Sequence, residues 1–204
     1  MRKIFVTGIG TDVGKTVVSS VLVEALKADY WKPIQTGSFY GTDSEKVQKL
    51  ISNDKSQFHK EAFLLEKYMS PHAAAESEGI EIKLDDIKLP ETSNDKMIIE
   101  GVGGIMVPLN KDHFVLDIIK KFDCEVILVI QNYLGSINHT LLSLEVLKYH
   151  KINVIGKIFN GPRHKLSEDI ILHHSNYKFA GQINKETQIT PEIISRYAEQ
   201  FKSI

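Results

Sequence analysis

Between a β-branched run at residues 3–7 (KIFVT) and an apolar-periodic stretch that begins at Lys15, the chain carries Gly8-Ile9-Gly10-Thr11-Asp12-Val13-Gly14-Lys15-Thr16. A glycine-rich turn that leaves a strand and opens a helix is compatible with few architectures. Its backbone N–H groups can turn inward onto an anion, the helix amino terminus adds positive potential, and Lys15 can reach the outer phosphates. The Thr16 hydroxyl is spaced to join Mg²⁺. One position departs from the strict G-x-x-x-x-G-K-[ST] spacing: Ile9 stands where glycine is required, with Gly8 and Gly10 on either side. The plain alternative is a glycine-rich β–α turn with a surface lysine.

The rest of the chain repeats the alternation. Val17, Val18, Val21, Leu22 and Leu26 mark one face of a helix over residues 15–27. Residues 30–34 read as a short strand cut off by Pro33. Residues 42–51 read as a helix, with Thr42 and Glu45 at capping-box spacing. Residues 52–90 show no clear period. Strands are expected at 97–100, 125–130, 153–159 and 178–183. Helices are expected near 114–122, from about 138 to 149, near 166–174, and from about 191 to 201, the last with Thr190 as N-cap and Pro191 at N1. A glycine turn is expected after Glu100. Several strands are apolar on both faces, as buried parallel strands are. The fold expected is α/β, a three-layer P-loop fold with a mostly parallel central sheet flanked by helices, forming one P-loop domain over residues 1–204. Ligands in such sheets sit at the carboxyl ends of strands.

Composition excludes several classes. Lys+Arg 25 against Asp+Glu 26 leaves a net charge of −1 with no one-signed block, which argues against a nucleic-acid module. The lone Cys124 rules out an internal disulfide and a cysteine zinc cluster. The amino-terminal apolar run is too short for a signal peptide, and the longest aliphatic run falls far below the ~20 residues of a membrane helix. No membrane role and a cytoplasmic location are the expectations.

Candidate chemistry follows the strand ends. Glu100 closes the run MIIE and opens Gly101-Val102-Gly103-Gly104; it is either a magnesium carboxylate or a charge leaving a buried strand. Asp43 is either a second metal carboxylate or a residue satisfying a helix amino terminus. Lys32, in Lys32-Pro33-Ile34-Gln35-Thr36-Gly37-Ser38, could pair with Lys15 around a phosphoryl group in transfer, or be solvated. Asn160 ends a strand, as a base contact or a turn residue before Gly161. Asn110-Lys111-Asp112-His113 looks like a guanine-reading motif, but its aspartate comes one place early and it follows no strand.

Together these segments resemble the dethiobiotin synthetase family. GIGTDVGKT resembles its G-T-x-T-x-V-G-K-T loop, KPIQTGS its K-P-[IV]-x-[ST]-G segment, SPHAAA its S-P-H, EGVGG its E-G-A-G-G, and LGSINHT its L-G-x-I-N-H. Asp43 falls where the family carries a magnesium aspartate. The resemblance implies ATP- and Mg²⁺-dependent closure of 7,8-diaminononanoate with CO2 (or bicarbonate) to dethiobiotin, through a carbamate and a carbamic–phosphoric anhydride. It implies Lys15 and Lys32 as catalytic, and Thr16, Asp43 and Glu100 as metal ligands. Nucleotide contacts would come from Thr11, Asp12, Val13, Gly14, Lys15, Thr16, Val17, Glu100, Gly101, Val102, Gly103 and Asn160, the last at adenine. Thr36 would hold the reacting end of the substrate. In a homodimer with interfacial substrate sites, Gly135, Ser136, Ile137 and Asn138 would take the tail carboxylate bound by the neighbouring subunit; for Asn138 the alternative is a simple N-cap.

The chain departs from the pattern in places. Asp12 stands for glutamate, Val102 for alanine, and Tyr133 for a lysine of some members. The proline and aromatic residues expected around residues 181–184 are missing, and Tyr177 is the sole candidate for a substrate-contacting tyrosine in its segment. Two rival readings are a partition-type ATPase switch and a related carboxylate-activating ligase. The first usually carries an extra lysine early in the loop, where Ile9, Gly10 and Thr11 stand. The second usually carries an amidotransferase domain with a nucleophilic cysteine.

Overall fold

Strand β1 (Arg2–Gly8) is buried from Ile4 onward and lies at the centre of a seven-stranded sheet in the computed structural model of the chain. The structure describes residues 1–204, the side chain of Tyr40 excepted. After β1 come α1 (Lys15–Leu26), β2 (Asp29–Trp31), β3 (Ile34–Gln35), α2 (Asp43–Leu50), β4 (Phe58–His59), β5 (Phe63–Leu64) and α3 (Pro71–Ser77). Then follow β6 (Lys96–Gly104), α4 (Val115–Phe122), β7 (Glu125–Ile130) and α5 (Ser136–Tyr149). The chain ends with β8 (Val154–Asn160), α6 (Lys165–His174), β9 (Phe179–Ile183) and α7 (Pro191–Ala198).

The large sheet has the order β4-β2-β6-β1-β7-β8-β9, and every neighbouring pair in it is parallel. From β1 the chain crosses through α1 in one direction, to β2. From β6 onward it crosses in the other, through α4, α5 and α6. Right-handed crossovers therefore put α1 on one face and the later three helices on the other. Contacts agree: α1 packs with α2 and α7, while Phe122 of α4 meets Trp31 edge-on from the opposite side. The reversal of direction opens a crevice at the carboxyl end of β1, where ligands of such sheets bind.

The α/β expectation holds, with local corrections. β6 does not stop at Glu100 for a glycine turn; it runs to Gly104, because Gly104 pairs with Gly8 of β1 beyond a register shift between Val6 and Gly8. Residues 30–34 are not one strand. β2 ends at Trp31, and beyond Pro33 the chain turns away to pair Ile34 and Gln35 with Phe63 and Leu64 in a separate two-stranded sheet. α5 begins at Ser136, not near Asn138, with Gly135 as its N-cap at φ +104°. Asn138 is thus inside the first turn and caps nothing. α7 starts as expected, its Thr190 side chain accepting from Ile193 N, and tightens into a 3-10 turn over Glu199–Phe201. The region without period, 52–90, supplies two short strands and α3, which opens with Pro71.

The far end of β2 is fixed by a buried carboxylate. Asp29 accepts hydrogen bonds from Gln57 N, His59 Nε2, the Thr92 hydroxyl and the Asn94 amide. Burial alone would raise its pKa, but the Thr92, Gln57, His59 and Asn94 bonds together hold it below the usual carboxylate value. A carboxylate with a depressed folded pKa stabilises the fold above the unfolded pKa, and that contribution is lost as pH falls through the folded one. Asp29→Ala should cost about 3 kcal/mol in urea unfolding at neutral pH, since several donors lose their partner. The gap to wild type should narrow below about pH 4. A gap that is constant with pH would contradict this role.

Candidate functional site

The phosphate-loop turn takes its shape from residues that cannot be larger. A Cβ on Gly8 would lie 2.4 Å from Val13 Cγ2. Gly14 has φ +90°, and a Cβ there would lie 2.0 Å from Asn160 Nδ2. Asn160 Nδ2 donates to Val13 O at 3.0 Å and so braces the loop from β8. Lys15 Nζ donates to Gly10 O at 2.8 Å, folding the lysine back over the loop it anchors.

Beside the loop, three charges from distant elements meet. Lys32, just past β2, is buried; its Nζ lies 2.6 Å from Asp43 Oδ2 and 3.0 Å from Glu100 Oε1. Asp43 opens α2, its N–H donating to Gln35 Oε1 and its other oxygen meeting Lys46 at 3.0 Å. Glu100 is not at a strand end but midway along β6, almost fully buried. Its Oε1 also accepts from the Thr16 hydroxyl at 3.0 Å, and its Oε2 from the Tyr30 hydroxyl at 3.0 Å.

Burial and neighbouring charge set the protonation states. Desolvation lowers the Lys15 pKa to about 8; the Lys32 ammonium adds to that and Glu100 opposes it. Burial also pulls on Lys32, but Glu100 and Asp43 overcome it and raise the pKa above the ordinary lysine value. Burial would raise Asp43, yet Lys32 holds it low. Burial, reinforced by Glu100, pushes the Tyr30 phenol well above its usual value. Lys32 is thus a fixed cation, and Lys15 is a tunable one.

A cleft of about 850 Å³ opens over this cluster. Thr11, Asp12, Gly14, Lys15, Thr16 and Val17 line it on the loop side; Lys32, Gln35, Thr36, Asp43, Tyr68, Glu100, Val102 and Gly103 are among those that line the rest. The Val13 side chain is buried under the loop, so only its backbone N–H can face a ligand. Gly101 and Asn160 do not line the cleft, and neither do Gly135, Ser136, Ile137 and Asn138. Those last four begin α5, whose entry sits beside the loop: Tyr133 OH lies 3.8 Å from the place of a Gly10 Cβ and 2.8 Å from His139 Nδ1. Asn110 caps its own turn, accepting from the Asp112 and His113 N–H groups.

Sequence reasoning misses Tyr30, Gln35 and Tyr68. Tyr68 comes from the region without period; its ring covers Gly37 and its hydroxyl approaches Asp12 Oδ2 at 3.4 Å. It also walls a second cavity of about 280 Å³, which shares Thr11, Val102 and Gly103 with the first and adds Met69, Ser70, Pro71 and Val107. Tyr30 is legible in principle, since alternation along β2 puts it on the face of Lys32.

A family profile described as AAA domain matches residues 2–193. The chain is 51% identical over 198 residues to a Cytophaga hutchinsonii protein named ATP-dependent dethiobiotin synthetase BioD, covering 97% of this chain and 96% of that one. A protein of the same name from Christiangramia forsetii is 52% identical over 201 residues, covering 98% and 96%. One from Chlamydia pneumoniae is 40% identical over 208 residues, covering 100% and 91%. Among solved structures, the cell division ATPase MinD of Pyrococcus furiosus superposes with a TM-score of 0.56 at 14% identity, covering 98% of each chain. The septum site-determining protein MinD of Pyrococcus horikoshii, complexed with Mg-ADP, gives 0.57 at 14%, covering 99% and 96%. At that identity the likeness is one of fold.

Lys15 carries its charge below about pH 8. Affinity for a nucleoside triphosphate, measured by calorimetry, should therefore weaken as pH rises past that value, by up to about tenfold per unit. Lys15→Met should bind weakly and lose the slope. An unchanged slope in the variant would assign it to another group.

Proposed function

The chain belongs to the dethiobiotin synthetase family, and we propose that it closes 7,8-diaminononanoate and CO2 into the cyclic urea dethiobiotin, converting ATP to ADP and phosphate. As an ATP-dependent ligase of biotin biosynthesis, it forms C–N bonds. One observation carries the finer reading: two buried lysines, two carboxylates and the Thr16 hydroxyl converge on one cleft beside the phosphate loop.

In the proposed course, one amine of the substrate captures CO2 as a carbamate and releases a proton. A carbamate oxygen attacks the γ-phosphorus, ADP leaves, and a carbamic–phosphoric anhydride results. The second amine then attacks the carbonyl carbon, closing the ring with loss of phosphate and a proton. The hard step brings anion to anion, so positioning and cations count for more than a strong base. Lys15, folded over the loop onto Gly10 O, would turn its ammonium to the β- and γ-phosphates. Lys32 lines the same cleft, where its ammonium would hold the carbamate against the γ-phosphoryl. Thr36 lines the same cleft for the reacting end. The adjoining cavity, with Met69, Pro71, Val102 and Val107 in its wall, suits an aliphatic chain. Asn160, already bound to the loop through Val13, is the proposed adenine contact.

Thr16, Asp43 and Glu100 would hold Mg²⁺, which takes one or two carboxylates beside phosphate oxygens and water: the Thr16 hydroxyl already meets Glu100 Oε1, and Lys32 bridges that oxygen to Asp43. When bound, the ion offsets charge on the β- and γ-oxygens. The proposal also includes a homodimer. Gly135 caps α5 without a side-chain bond; Ser136 N–H donates to Tyr133 O, so the Ile137 and Asn138 amides are the ones proposed for the carboxylate tail of a substrate bound in the partner. One P-loop domain over residues 1–204 is part of the reading, supported by a buried cluster that runs from Ile4 to Phe201. Among the described residues no helix is long and apolar enough to cross a membrane, and the cytoplasm is the compartment proposed.

Phosphate release from ATP should require both the diamine and bicarbonate. Turnover indifferent to the diamine would favour a nucleotide switch over a ligase. Lys15→Ala and Lys32→Ala should each reduce kcat about 10³-fold. Near-normal turnover in Lys32→Ala would remove its catalytic role.

A further inference from the structure

The two oxygens of Glu100 have different partners. Oε1 meets the Thr16 hydroxyl and the Lys32 ammonium, both at 3.0 Å. Oε2 accepts from the Tyr30 hydroxyl, also at 3.0 Å. Tyr30 is fully buried, with its ring against Phe58 at a centroid distance of 5.7 Å. Its place is set by the sheet: Tyr30 pairs with Ile98 and Trp31 with Ile99. Alternation then brings Tyr30 and Lys32 to the face that Ile98 and Glu100 share.

We propose that Tyr30 is a positioning residue for the metal-facing carboxylate: its phenol ties Oε2 of Glu100 to the sheet, so that Oε1 alone is presented beside Thr16. This rests on the reading of Glu100 as a magnesium ligand. An untethered carboxylate could rotate and offer either oxygen or both, and magnesium accepts little departure from octahedral geometry. Groups that orient a ligating carboxylate typically change metal affinity 10–100-fold when lost. Tyr30 does not line the cleft, so its effect must pass through Glu100.

The test compares Tyr30→Phe, which keeps the ring, with Glu100→Gln. Turnover is titrated with Mg²⁺ at saturating ATP and diamine, and binding of a non-hydrolysable ATP analogue is measured by calorimetry with and without Mg²⁺. Tyr30→Phe should raise the Mg²⁺ concentration for half-maximal turnover about tenfold. High Mg²⁺ should restore kcat. The diamine KM and the metal-free nucleotide affinity should stay near wild type, while the gain in nucleotide affinity from Mg²⁺ shrinks. An unchanged Mg²⁺ requirement in Tyr30→Phe, with a raised one in Glu100→Gln, overturns the proposal and leaves the metal reading standing. Lost turnover that Mg²⁺ does not restore, with a lowered unfolding midpoint, also overturns it, since that is the mark of packing alone. If Glu100→Gln itself leaves the Mg²⁺ requirement unchanged, the metal reading fails and the role of Tyr30 falls with it.

Discussion

A buried ammonium held between two carboxylates organises this molecule. Lys32 is charged and almost without water, a state that costs several kcal/mol unless partners stand close. Asp43 and Glu100 supply them at 2.6 and 3.0 Å. The three groups arrive from the end of β2, the start of α2 and the middle of β6, and Thr16 ties α1 to the same point. Each element is thus fixed to the others at the carboxyl edge of the sheet. Removing one member of such a cluster leaves an uncompensated charge, which typically destabilises by about 3–5 kcal/mol. On the proposed reading, stability and chemistry are therefore coupled at Lys32.

The second lysine is held differently. Lys15 has a backbone carbonyl as its partner, and burial brings its pKa down to about 8. An arriving polyphosphate would give this ammonium the counter-charge it lacks, whereas Lys32 already has one. In the proposed function the weakly paired Lys15 would grip the phosphate chain while the strongly paired Lys32 keeps its place beside the reacting group.

Much of this is legible in the amino-acid sequence. Gly8 and Gly14 are legible as glycines because a phosphate loop has few backbone solutions, and the double-sided apolar runs of β1, β7 and β8 point to the parallel sheet. Glu100 stands out as a candidate, but its place does not: glycines 101, 103 and 104 look like a turn, and only pairing with Gly8 makes them strand. Pro33 likewise hides β3, whose two residues find their partner about thirty positions away in β5. Residues 52–90 are opaque because their order comes from contacts with distant groups such as Asp29, Asp12 and Gly37, not from periodicity of their own. Tyr30 looks like one more apolar strand residue, and a single hydroxyl makes the difference.

The most direct measurement is a crystal structure with a non-hydrolysable ATP analogue, magnesium and 7,8-diaminononanoate bound together. The account predicts both Lys15 Nζ and Lys32 Nζ within hydrogen-bond distance of the terminal phosphoryl oxygens or the reacting nitrogen, with Asp43 and Glu100 turned to the ion. A diamine seated away from Lys32, with that lysine still bound only to its two carboxylates, would contradict it.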